Sequence, residues 1–200
     1  MDIIDDLKKG FDIMLGPSRH IPKSGGIAGT LKFYYKATFI PLLLAVVFAY
    51  FLHPTFPGFG MMNGYYALAS FTLSMYLILL VIGVWVIIPV SSAVNAFVYH
   101  VVGKFFLNVW KGKYDATFNA TLLSALPFAL LVFLLPIPGI RALYLFFAVF
   151  WHMILLTIAL AVLQKVKRME ALFALFTTCV AALLAFATAV PFFAMAFWGV

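Results

Sequence analysis

Apolar residues fill this chain in runs too long for a soluble core, and the charges gather in the short gaps between them. The first run, 33–52, opens on Phe33, Tyr34 and Tyr35 and contains Lys36, whose stem can carry its charge out to the headgroups. Further runs at 118–135, 142–163 and 171–190 each approach the ~20 apolar residues that a helix needs to cross a hydrocarbon core of ~30 Å. Residues 65–108 show no clear polar break. One straight helix of that length would measure about 66 Å at ~1.5 Å per residue. The region therefore makes two crossings, or one crossing with additional helix outside, and Pro89 predicts a kink within it. The preceding loop, 53–64, is rich in Pro and Gly and has no Lys or Arg.

The N-terminal segment follows another rhythm. Ile3, Ile4, Leu7, Phe11, Met14 and Leu15 recur at three- and four-residue steps, opposite Asp5, Asp6, Lys8, Lys9 and Asp12. This predicts an amphipathic helix too short to span, lying at a membrane surface or docked on the protein's own cytoplasmic side. Gly16 and Pro17 stop it.

Composition supports a bilayer as the solvent. Only 10% of the residues are charged and 66% are hydrophobic, whereas soluble domains average about 25% charged. The net charge of +7 is explained by topology and not by nucleic acid, because no basic patch alternates with stacking aromatics. With five crossings, twelve of the thirteen basic residues fall on one side and Arg141 alone on the other. With six crossings that asymmetry vanishes. Basic loops stay in the cytoplasm. The expected fold is therefore all-α: a polytopic bundle of five transmembrane helices, N-terminus cytoplasmic and C-terminus outside. Residues 1–32 form a cytoplasmic helix and connector, and residues 33–200 form one membrane domain. Cys179 is the single cysteine, so no internal disulfide is available.

Catalytic patterns are missing. There is no H-E-x-x-H, no G-x-S-x-G and no glycine-rich phosphate loop, and all six acidic residues fall in expected cytoplasmic segments. The expectation is a non-enzymatic protein without cofactor or bound metal. Ser92, Asn95, Tyr99 and Gly103 share one helical face, with His100, Lys104 and Asn108 beside them. Such a polar stripe packs against neighbouring helices or lines a path through the bundle. Asn95, His100, Asn119, Ser124 and His152 are the intramembrane polar candidates for a small-solute or lipid transporter or scramblase.

The stretch Asn108 to Phe128, NVWKGKYDATFNATLLSALPF, carries a further signal. Gly112, Tyr114, Thr117 and Pro127 stand at a spacing that resembles the Yip domain of Ypt/Rab-interacting multi-span membrane proteins. LGPSRHI, LPIPGI, Trp151 and KRMEALFA agree with other parts of that pattern, so the resemblance covers about residues 7–190. Trp110 and Leu123 depart from it, where a glycine and an aromatic are usual. No long soluble N-terminal tail is present, which points to a prokaryotic-type relative and a prokaryotic plasma membrane.

On the residues themselves, Gly112 permits a tight turn, Thr117 suits a helix N-cap, and Pro127 bends a span and frees a carbonyl for a neighbour. The resemblance implies a scaffold or adaptor. Its basic cytoplasmic face, formed by Lys111, Gly112, Lys113, Tyr114, Asp115, Lys165, Lys167 and Arg168, would dock anionic lipid or a protein partner. Small residues in the fifth run are compatible with a homo-oligomer or with packing inside one chain.

Overall fold

Interruptions in the helices, more than the apolar runs, determine how this chain packs. The computed structural model describes residues 3–21, 26–52, 73–137 and 139–198, and among them it contains helices and no strand. The order is α1 (Ile3–Leu15), α2 (Pro17–His20), α3 (Ile27–Leu52), α4 (Leu73–Ile82), α5 (Ile88–Val101), α6 (Tyr114–Ser124), α7 (Leu126–Leu130), α8 (Arg141–Leu163) and α9 (Arg168–Trp198). π-helical turns Gly83–Ile87 and Val102–Phe106 follow α4 and α5, and a 3₁₀ turn, Val132–Leu134, follows α7. The loop 53–64 and the start of the long apolar region, 65–72, lie outside the described residues.

Among the described residues, four helical segments are long and apolar enough to cross a membrane: Ile27–Phe51, Met75–Phe106, Tyr114–Leu134 and Arg141–Leu163. The described part of the ambiguous region is thus one continuous helix. At about 48 Å it exceeds a ~30 Å core and must tilt or project beyond it. α9 is helical through Pro191 to Trp198.

Tyr114–Leu134 is the central element. About 78% of its apolar window is buried, against 22–39% for the other three. Lipid offers no hydrophobic drive between helices, so close packing and hydrogen bonds must hold them together. Leu122, Leu123, Leu126 and Leu130 pack inward with Leu155, Leu156 and Leu160 of α8, and Ala120, Ala129 and Ala159 allow close approach. Phe39, Leu43, Ile78, Val86, Phe146, Phe173 and Phe176 point outward, an apolar exterior suited to acyl chains.

The helix breaks supply the cross-links. Pro89 has no N–H, and Ile88 N–H donates back to Gly83, five residues earlier. The carbonyls of Val84 and Trp85 are freed, and they accept from the hydroxyls of Tyr34 at 2.9 Å and Tyr35 at 3.3 Å on α3. The expected kink at Pro89 is therefore a π-turn whose loose carbonyls bind a neighbour. At Pro127 the backbone tightens instead, to bonds three residues back. Phe128 N–H donates to Ala125, leaving the Ser124 carbonyl for His152 Nδ1 at 2.9 Å. The Phe128 carbonyl accepts from the Tyr144 hydroxyl at 2.7 Å. Unmet carbonyls are costly in hydrocarbon, which gives both breaks their partners.

The amphipathic helix is docked on the protein. Gly10 brings α1 so close that an added Cβ would lie 3.4 Å from Ala37 and Leu130, and Trp151 Nε1 donates to the Met14 carbonyl at 2.7 Å. This corrects the division of faces read from sequence. Asp6 is buried, only 2% exposed, and pairs with Lys36 at 3.7 Å, so Lys36 has an acidic partner within the protein. α3 begins at Ile27, and the expected domain boundary at residue 33 falls inside a continuous helix.

Candidate functional site

Gln164, the chain's one glutamine, organises the end of the bundle where the basic segments meet. α8 ends there: Lys165 adopts a left-handed conformation (φ 56°), and Val166 N–H closes the helix on the Ala161 carbonyl. That cap turns the Gln164 side chain inward, fully buried. Its Oε1 accepts the Gly112 N–H at 2.7 Å, and its Nε2 donates to Thr117 Oγ1 at 2.7 Å and to the Lys113 carbonyl at 3.4 Å. Thr117 Oγ1 meets His100 Nδ1 at 2.9 Å. Because the hydroxyl already accepts from Gln164, the network is self-consistent when Thr117 donates to Nδ1 and the ring proton sits on Nε2. α5, α6 and α8 are thereby joined by one polar chain.

Two sequence readings are corrected by this geometry. Thr117 is not the N-cap: α6 starts at Tyr114 with Lys113 in the cap position, and Thr117 lies inside the helix, buried between Gln164 and His100. Gly112 is not needed for a left-handed turn. Asn108 takes that conformation (φ 52°), whereas a Cβ at 112 would lie 2.7 Å from Gln164 Oε1. Close approach is the reason for glycine there. Trp110, which departs from the Yip pattern, fills the space over Gly103, and its indole N–H donates to the Tyr99 carbonyl at 2.7 Å. The Gly103 carbonyl accepts from both Val109 and Trp110, which locks the hairpin between α5 and α6.

Outside this buried lock are the charges. Lys111, Lys113, Asp115, Lys165, Lys167 and Arg168 are exposed, and Gln164 ties the segments bearing them to each other. Arg168 Nη2 donates to Ser18 Oγ at 2.9 Å, bringing α2 and exposed Arg19 beside the same turn. Glu170 accepts from the Lys167 N–H at 3.1 Å and caps the start of α9. Tyr114 is half-buried: its hydroxyl donates to the Ala93 carbonyl at 3.0 Å and its ring meets His100 edge-on.

The five intramembrane polar candidates are not assembled into one path. Asn119 and Ser124 are buried within α6, and His100 belongs to the Gln164 network. Asn95 and His152 line a separate cavity between α4–α5 and α6–α8. Among the described residues, no group of three His, Cys, Asp or Glu side chains could hold a metal. The Gln164 bridge, the Asp6–Lys36 pair and the Gly103–Trp110 contact are not visible in the sequence. A lone glutamine between an apolar run and a basic turn was the available signal for the first.

No family model, curated protein or solved structure matches this chain.

Proposed function

We propose that this protein is a non-enzymatic membrane scaffold whose basic face docks anionic lipid or an acidic protein surface. Five crossings, a cytoplasmic N-terminus, the Yip resemblance and a prokaryotic plasma membrane are parts of this reading. The observation that carries it is the Gln164 bridge. Lys111 and Lys113 lie on one connection and Lys165, Lys167 and Arg168 on another, and one buried side chain bonds the two. Five exposed cations on a rigid support attract an anionic surface more strongly than the same cations on independent loops, at about 1 kcal/mol per charge. The sorting of twelve basic residues to one side under five crossings agrees with this reading.

The test places the protein in phosphatidylcholine nanodiscs and measures association with phosphatidylserine vesicles. Replacing the five cations by glutamine is expected to weaken binding at least ~100-fold and to flatten its salt dependence, with the unfolding transition unchanged. Unchanged vesicle binding, together with an unchanged set of co-purifying proteins, would remove the proposal.

A further inference from the structure

The cavity between α4–α5 and α6–α8 has a volume of about 460 Å³, within the range of small-molecule sites. Its walls are residues such as Leu79, Val84, Ile88, Phe128 and Val132, all in candidate spans. Ser91 and Asn95 are exposed at its rim beside exposed Ile87, Val90 and Val94, so it opens on the apolar flank of the bundle. A Lys, Arg, Asp or Glu does not occur among its lining residues.

Three polar groups of the lining have unused hydrogen-bonding capacity. Ser92 is 3% exposed, and neither its hydroxyl nor the Asn95 carboxamide bonds to protein among the described residues. His152 is fixed in one tautomer. A carbonyl only accepts, so Nδ1 carries the proton given to Ser124, and in the neutral ring Nε2 remains an open acceptor. By contrast, Ser91, Thr121 and Tyr144 donate to backbone carbonyls. A carboxamide, a hydroxyl and an imidazole acceptor facing hydrocarbon are costly unless something pairs with them.

We infer that this cavity binds the head of an uncharged, hydroxyl-bearing glycerolipid of the diacylglycerol class. A free hydroxyl supplies the donor that His152 Nε2 takes, and ester carbonyls accept from Asn95 Nδ2 and the Ser92 hydroxyl. A phosphate is disfavoured because the walls offer it no cation. The cavity is too small for a whole diacyl lipid, so the chains run out over Ile87, Val90 and Val94. This site is independent of the basic face and stands if that reading fails.

The test uses 1,2-dioleoylglycerol with a photoreactive acyl chain and the full chain in phosphatidylcholine nanodiscs. Labelling should saturate and map to α4–α5 or α6–α8. Unlabelled dioleoylglycerol should compete, while phosphatidic acid should not. Asn95→Leu should lower apparent affinity about 10-fold, equivalent to about 1.4 kcal/mol, and Ser92→Ala should lower it less. Asn95 is at the rim, so the variant should keep the wild-type unfolding transition. If Asn95→Leu unfolds, Ser92→Ala decides alone. Labelling that does not saturate, equal competition by phosphatidic acid, or full affinity in the folded variants would overturn the inference.

Discussion

Replacing Gln164 by methionine keeps the length and volume of the side chain and removes its hydrogen bonds. The variant loses two bonds of 2.7 Å, to the Gly112 N–H and the Thr117 hydroxyl, and a longer one of 3.4 Å to the Lys113 carbonyl. A net hydrogen bond contributes about 1 kcal/mol in water-soluble proteins, and about 0.6 kcal/mol on average within membrane bundles. Leaving a buried donor or acceptor unmet costs a further ~1–3 kcal/mol. Two facts hold the total toward the low end: Thr117 keeps its contact with His100, and half-buried Gly112 can turn to water. The expected loss is about 2 kcal/mol. Reversible unfolding in mixed micelles, titrated with dodecyl sulfate, measures it. A double-mutant cycle with Thr117→Val should return a coupling of about 0.6–1 kcal/mol. Spin labels at positions 111 and 167 should show a broader distance distribution in Gln164→Met. A variant within about 0.3 kcal/mol of wild type, with no coupling to Thr117, would refute the claim that this side chain joins the basic segments.

Gly103→Ala should cost about 2–3 kcal/mol, because its methyl group overlaps the Trp110 ring and overpacking forces the hairpin apart; red-shifted tryptophan emission would report the displaced ring. Lys36→Met should cost about 3 kcal/mol by leaving the Asp6 carboxylate buried alone, and Asp6→Asn in the same chain should restore much of that in the same unfolding assay. Trp151→Phe loses the bond to the Met14 carbonyl, so it should destabilise by about 1 kcal/mol and speed hydrogen exchange of the α1 amides.

Apolar runs and prolines were legible because they act through solvent and backbone, which every residue reports locally. The spans near 33–52, 118–135 and 142–163 reappear as α3, α6–α7 and α8, with ends shifted by a few residues. Pro127 does free a carbonyl for a neighbour, and His152 takes it. What the sequence hid depends on contacts between distant residues. Asp6 looked like part of a polar helix face because nothing local reveals Lys36 opposite it. Thr117 looked like a cap because the start of α6 is set by the hairpin lock of Trp110 on Gly103. A glycine at 112 suggests a flexible turn, while the structure uses its lack of a side chain. The basic residues were readable as a set, but their joining through Gln164 was not, since a single glutamine has no periodicity to betray it.

A single basic docking face requires the basic segments to share one side of the membrane. Single cysteines at Lys9, Lys113, Lys167 and Arg141, in a chain with Cys179 replaced by alanine, can be labelled in oriented membranes with an impermeant maleimide. Positions 9, 113 and 167 should react only from the cytoplasmic side and position 141 only from the other. Lys9 and Lys113 reacting from opposite sides would contradict that single face.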